Sequence, residues 1–203
     1  MPTPPITADA AFALAAFTFA ASITPGPNNL MLMASGLNFG LRRTVPHMLG
    51  VAFGVVVMIV LVGAGAEAAF ALWPPLDTVL RTVCFGVVLW LAWKLWHAAP
   101  PASDGPARGR PLGFLQAAGF QWVNPKAWAM VLAIVSVYAP DRTPLTILAV
   151  ACVFAAVNLP SVSAWVLAGT RLRRWLAVPG RVQRFNAAMA ILLVMSVAPA
   201  LLA

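Results

Sequence analysis

Two short runs of residues could bind a small polar solute within an otherwise apolar sequence. The first is residues 24–28, Thr-Pro-Gly-Pro-Asn, and the second is residues 124–126, Asn-Pro-Lys. Proline and glycine interrupt a helix there. The helix that follows each interruption begins with free backbone N–H groups and the positive end of its dipole, which favour an anion such as a carboxylate. The predicted binding residues are Pro25, Gly26, Pro27, Asn28, Asn124, Pro125 and Lys126.

Lys126 is the charged residue of these runs, and it lies deep in an apolar stretch. About thirteen residues, or roughly 20 Å, separate it from either end of that stretch, whereas its side chain reaches only about 6 Å. An unpaired charge in hydrocarbon would cost on the order of 2.5–3.5 kcal/mol. We expect Lys126 to bind the carboxylate of a solute. The alternative is a structural lysine bound by the carbonyl groups of Pro25 or Gly26.

Other polar or aromatic side chains could line the same site. Asn158 precedes Pro160 in the fifth apolar stretch, where its amide suits a solute and a neighbouring helix equally well. His47 is expected at the membrane interface, with a proton carrier as the alternative. The residues expected to line the site are Asn29, Trp122, Trp128 and Asn158.

The composition predicts an integral membrane protein. Of 203 residues, 62% are hydrophobic and 9% are charged, whereas a soluble domain has about 25% charged residues. The net charge of +8 does not indicate nucleic-acid binding, because the basic residues lie in a few loops between apolar stretches. We find no paired carboxylates, metal-ligand spacing or nucleotide-binding glycine motif. The sequence therefore predicts neither an enzyme nor a cofactor or metal.

The apolar stretches predict an all-α fold with six transmembrane helices, since about 20 apolar residues cross a bilayer. The stretches are 8–39, 45–66, 76–97, 112–138, 144–168 and 185–203. The first and fourth contain the two interruptions, so helices 1 and 4 are expected to be broken. The polar, Pro/Gly-rich segment 98–111 would link two halves, 8–97 and 112–203, of a single transmembrane domain.

Three helices in each half imply that the halves are inverted relative to each other. The two interruptions then lie at one depth: twelve residues separate Gly40 from Asn28, and twelve separate Leu112 from Asn124. At 1.5 Å per residue both lie about 18 Å from the same membrane boundary, near the midplane. In the second stretch, Gly50 and Gly54 form a small-residue face suited to close helix packing.

Loop charges predict the orientation in the membrane. Ten of the thirteen basic residues follow the first, third and fifth stretches: Arg42, Arg43, Lys94, Arg108, Arg110, Arg171, Arg173, Arg174, Arg181 and Arg184. Only Arg81 and Arg142 lie on the opposite side. Cytoplasmic loops are enriched in Lys and Arg. We therefore expect a multi-pass plasma-membrane protein with both termini outside.

The two interruptions, the glycines at 50 and 54 and the segment 120–128 resemble the LysE/RhtB family of bacterial amino-acid exporters over essentially the whole length. Residues 24–30 and 92–94 are most similar to its cysteine/O-acetylserine exporter branch. The resemblance implies export of amino acids or close derivatives across the bacterial inner membrane, driven by an ion gradient, usually of protons. Many members have an aspartate after the second glycine of helix two, where this chain has Val55. That departure favours a neutral, small or apolar amino acid over a cationic one.

A passive channel for small zwitterionic solutes is the alternative function. A carrier would show saturation and exchange, whereas a channel would show neither. The expected partners are an amino-acid substrate and membrane lipid, without nucleic acid, and a homo-oligomer is left open.

Overall fold

A computed structural model describes residues 6–66, 68–73, 75–97, 109–176 and 180–202. This part of the chain contains helices and no strand, which confirms the all-α prediction for the described residues. The helices are α1 (Ala8–Ile23), α2 (Pro27–Gly63), α3 (Ala68–Leu72), α4 (Pro75–Trp96), α5 (Phe114–Gln121), α6 (Pro125–Tyr138), α7 (Pro144–Leu176) and α8 (Arg181–Leu202).

Both predicted helix interruptions are confirmed. The first separates α1 from α2 at residues 24–26, and the second separates α5 from α6 at residues 122–124. Proline is the first residue of the helix that resumes after each interruption, Pro27 in α2 and Pro125 in α6. The first helical position tolerates proline because its missing N–H would have no partner there.

Helix α2 turns back on itself at Gly40, which has φ 78° and ψ 171°. Glycine adopts this region readily because it has no Cβ. The Ser35 and Thr44 hydroxyl oxygens lie 2.9 Å apart, whereas nine residues of straight helix would separate them by about 14 Å. Residues 27–39 and 41–63 therefore lie side by side. The expected loop at 40–44 is wrong: one glycine makes the turn, and Arg42 and Arg43 are helical.

Three of the described helical segments are long and apolar enough to cross a membrane: Pro27–Gly63, Thr78–Trp96 and Pro144–Leu172. Two shorter apolar helices, Ala8–Ile23 and Pro125–Tyr138, adjoin the interruptions. This pattern fits a membrane protein in which some crossings are broken. Six crossings in two inverted halves stay a prediction. Most of the predicted linker, residues 98–108, lies outside the described residues.

Some helix boundaries differ from the sequence-based prediction. Helix α7 continues to Leu176 instead of ending near residue 168, and α8 begins at Arg181 instead of residue 185. Hydropathy ends a predicted stretch where arginines begin, but arginine is a good helix former, so a helix can continue beyond its apolar part. The short helix α3 was not predicted, because five residues are too few to show a periodic pattern.

Glycines allow close approach of the helices that surround the interruptions. A Cβ on Gly54 of α2 would lie 2.7 Å from Cγ of Gln121 and 2.8 Å from the Ala118 backbone, both in α5. Gly36 of α2 and Gly169 of α7 likewise pack against backbone of the opposite helix. The close packing predicted for the glycines at 50 and 54 is confirmed. These contacts hold α2 against α5 and α7, beside the two interruptions.

Candidate functional site

The two helix interruptions, far apart in the chain, meet in space through Lys126. Its Nζ donates hydrogen bonds to the carbonyl oxygens of Thr24, at 2.7 Å, and Pro25, at 3.4 Å. These carbonyls follow the last turn of α1, where the negative end of the helix dipole favours a cation. The structure thus brings the two interruptions into contact, while their common depth at the midplane of a membrane stays a prediction. The carbonyl contact expected for a structural lysine is present, with Thr24 in place of Gly26.

Gly26 makes room for the Lys126 side chain. A Cβ on Gly26 would lie 2.9 Å from Cδ and 3.2 Å from Nζ of Lys126. The methylene chain of the lysine therefore lies against the backbone of the first interruption. Two of the three ammonium protons bind carbonyl groups, which leaves a third for another acceptor. Lys126 therefore joins the interruptions and still has one N–H to offer another acceptor.

A pair of amide side chains forms a second link between the interruptions. Asn28 Nδ2 donates to Gln121 Oε1 at 2.7 Å, and Gln121 Nε2 donates to Asn28 Oδ1 at 3.1 Å. Gln121 is fully buried and also donates to the carbonyl oxygen of Ala117 at 2.8 Å. Sequence reasoning did not include Gln121 among the binding residues. The sequence does indicate a role for Gln121, because a glutamine in an apolar helix beside an interruption needs a polar partner, just as Asn28 does.

Two further asparagines cap the broken helix ends. Asn124 Oδ1 accepts the Lys126 backbone N–H at 3.1 Å, which confirms the predicted N-cap of α6. Asn29 Nδ2 donates to the carbonyl oxygens of Ser22, at 2.6 Å, and Thr24, at 2.8 Å. The Asn29 amide therefore satisfies carbonyls left free at the end of α1, as helix termini require.

Trp122 and Trp128 lie on either side of the second interruption and contact each other. Trp128 Nε1 donates to the carbonyl oxygen of Trp122 at 2.8 Å, and the two rings meet edge to face with centroids 5.9 Å apart. The indole N–H thus satisfies a carbonyl group freed by the interruption. Neither tryptophan is among the described residues that line the cavity below.

A small cavity of about 30 Å³ lies between the interruptions. It has room for water molecules but not for an amino acid. The described residues that line it are Ala21, Ser22, Gly26, Pro27, Asn28, Asn29, Val51, Val55, Asn124, Lys126, Ala127, Met130, Asn158 and Val162. Of the eleven residues predicted to bind or line the site, seven line this cavity. An eighth, Pro25, accepts a hydrogen bond from Lys126. Pro125 begins α6 beside it.

The cavity wall is polar at the helix ends and apolar elsewhere. Lys126 is the one charged side chain among the described lining residues. Val51, Val55 and Val162 supply apolar surface from α2 and α7. The described wall therefore offers an anion a lysine and the N-terminus of α2, and it offers a cationic side chain no carboxylate.

His47 is buried within the protein, with a side chain only 2% exposed. Its position at the membrane interface stays a prediction. Neither ring nitrogen has a hydrogen-bond partner among the described residues. His47 precedes Val51 and Val55 at intervals of one helical turn, so the three share the α2 face that lines the cavity. The alternative, a proton carrier, stays open.

Comparison with known proteins gives the family. A sequence model of the LysE type translocator matches residues 19–203. The chain belongs to the LysE-type translocator family. It is therefore a transporter and not an enzyme, and its apolar helices are those of a membrane protein.

Several curated proteins are similar to this chain over most of its length. The cysteine/O-acetylserine efflux proteins of Salmonella typhimurium (strain LT2) and Klebsiella pneumoniae are 29% and 28% identical to it. The protein of that name from Escherichia coli K12 is 24% identical. Each match spans 180 residues, which is 88% of this chain and 90% of the relative. No solved structure matches the chain.

Proposed function

We propose that this LysE-type translocator exports small neutral amino acids or close derivatives from the bacterial cytoplasm, with the solute bound between the two helix interruptions. The observation that carries the proposal is the position of Lys126. It stands at the meeting point of both interruptions, lines the cavity and keeps a free ammonium proton. A carboxylate there would bind Lys126 and the first N–H groups of α2, since Asn124 already caps α6.

The chemistry of the cavity wall supports a neutral substrate. Many family members carry an aspartate at the position of Val55, and Val55 lies on the cavity wall, 1% exposed. A cationic amino acid would thus meet Lys126 with no carboxylate to offset the repulsion. The names of the similar cysteine/O-acetylserine efflux proteins make cysteine the first substrate to test. Serine and alanine are tested beside it as other small neutral amino acids.

Substrate binding requires the cavity to widen, since about 30 Å³ holds only water. The links that must yield are the Lys126–Thr24 hydrogen bond and the Asn28–Gln121 amide pair. Both join one interruption to the other, so their release would let the two broken helices separate. We propose that the structure is a closed form of the carrier, in which both links are made.

Proton coupling is part of the proposal because the family resemblance implies an ion gradient. His47 and Lys126 are the basic side chains that the described helices bury wholly or in part. His47 is the better candidate for the coupling proton, because Lys126 already holds two carbonyl groups. Replacing His47 with Gln should then leave substrate exchange in place and abolish accumulation driven by a pH gradient.

Reconstituted vesicles test the proposal and separate a carrier from a channel. We expect purified protein to move labelled L-cysteine, L-serine or L-alanine with saturable kinetics. Unlabelled solute on the opposite side should accelerate that movement, as exchange requires. Flux that stays linear with concentration and ignores solute on the other side would support the channel instead. No flux of any of the three would contradict the proposed substrate class.

A further inference from the structure

Asn158 of α7 has a buried oxygen that lacks a hydrogen-bond donor. The side chain is 4% exposed and lines the cavity between the interruptions. Its Nδ2 donates to Ser22 Oγ at 2.9 Å, and its Oδ1 has no partner among the described residues. Leaving a buried acceptor without a donor is energetically unfavourable. Such a group indicates a donor that arrives with a ligand or with water.

This oxygen lies near the end of α1, whose dipole favours positive charge. Asn158 is tied to Ser22 in the last turn of α1, where the helix dipole is negative. The donors of the cavity are Lys126, whose ammonium binds carbonyl groups at the same end of α1, and the start of α2. The cavity wall thus offers an unpartnered acceptor, Asn158 Oδ1, as well as donors. An α-amino acid carries an ammonium and a carboxylate on one carbon and matches both.

We infer that Asn158 Oδ1 accepts a hydrogen bond from the ammonium group of the transported solute and makes the site specific for a free α-amino group. This inference rests on the proposed export function and adds the recognition of the second charged group. Lys126 binds the carboxylate and Asn158 binds the ammonium, so the site recognises both charged groups of the zwitterion. N-acylated amino acids, which lack the ammonium, should be rejected.

The test couples a change in the residue to a change in the ligand. Binding to the purified full chain is measured for L-cysteine, L-serine and L-alanine and for the N-acetyl derivative of each, under reducing conditions. The variants are Asn158→Leu, Asn158→Asp and the control Asn38→Leu, which removes an asparagine that bonds only its own helix at Ala34. Thermal unfolding reports whether each variant folds.

We expect Asn158→Leu to weaken binding of the free amino acids about tenfold, the equivalent of one lost hydrogen bond. The N-acetyl compounds should bind weakly to every form and be unchanged by the substitution. Asn158→Asp keeps the shape and strengthens the acceptor, so the ratio of free to N-acetyl affinity should hold or rise. Asn38→Leu should change neither.

Equal losses for free and N-acetyl ligands, or a fall in the affinity ratio with Asn158→Asp, would overturn the inference. Asn158 would then bind only water or α1, and export of amino acids would stand. If Asn158→Leu does not fold, the affinity ratio with Asn158→Asp decides alone. Failure of the wild type to bind any of the three amino acids would overturn the export proposal and this inference together.

Discussion

At the scale of single residues, the Asn28–Gln121 pair links the interruptions with two hydrogen bonds. Gln121→Leu leaves the Asn28 amide without its partner, so we expect a loss of about 1–3 kcal/mol in the free energy of unfolding. Denaturation of the purified protein measures this loss. The exposed Gln183 offers a matched control, and Gln183→Leu should change stability little.

A double-mutant cycle isolates the pair itself. Removing both partners, by Asn28→Ala with Gln121→Leu, should cost less than the sum of the single changes, with a coupling of about 1–2 kcal/mol. Strictly additive losses would show that the two amides do not depend on each other. The proposed link between the interruptions would then rest on Lys126 alone.

The sequence could predict which residues are polar at depth, but not always what they bind. Lys126 and Asn124 were found from their spacing and capping chemistry, and Asn124 caps α6 as expected. Asn29 caps the end of α1 in addition to lining the cavity. Gln121 was not predicted to bind Asn28. The partner of a buried amide depends on how distant helices pack: Asn28 and Gln121 are 93 residues apart in the chain. A local sequence pattern does not determine such packing.

At the scale of helices, the first interruption is expected to matter more for transport than for folding. Pro27→Ala restores a backbone N–H at the start of α2 and makes a continuous helix easier to form. Neighbouring helices already support the interruption. We expect unfolding to change little and transport in vesicles to fall severalfold. If purified Pro27→Ala protein transports at the wild-type rate, the interruption is only a kink in the helix and has no role in transport.

The contact between α2 and α5 gives a prediction about packing. Gly54→Ala places a methyl group 2.7 Å from Gln121 Cγ and 2.8 Å from Ala118 Cα, so it should destabilise the protein by about 1–3 kcal/mol. Gly86 of α4 has nothing within 4 Å of an added Cβ. Gly86→Ala should therefore be neutral or stabilising by up to about 1 kcal/mol. Thermal unfolding compares the two variants. Equal changes in stability for Gly54→Ala and Gly86→Ala would contradict the close contact between α2 and α5.

Helix interruptions were predictable because proline, glycine and capping asparagine act locally. The reversal at Gly40 was harder to predict, since one residue with positive φ replaced the expected loop. Arginine-rich ends of α7 and α8 were missed because hydropathy reports what fits in a bilayer, not where a helix ends.

At the scale of the whole molecule, the distribution of basic residues predicts the orientation. Single cysteines at Ala66 and Arg110, in protein with Cys84 and Cys152 replaced by alanine, would report it. Both positions are exposed. By the positive-inside rule, a membrane-impermeant thiol reagent added to intact cells should label Ala66→Cys and spare Arg110→Cys. Labelling of Arg110→Cys alone would reverse the orientation and place both termini inside.

Binding of the substrate carboxylate by Lys126 is the feature on which the proposed export most directly depends. The decisive measurement compares binding of L-cysteine and its ethyl ester to wild-type protein and to Lys126→Gln. We expect the substitution to weaken binding of the free acid tenfold to a hundredfold, since a charge-assisted contact contributes about 1.5–3 kcal/mol. The ester should bind the wild type weakly and be almost indifferent to the change. Equal losses for acid and ester would contradict this proposal, because Lys126 would then only hold the two interruptions together.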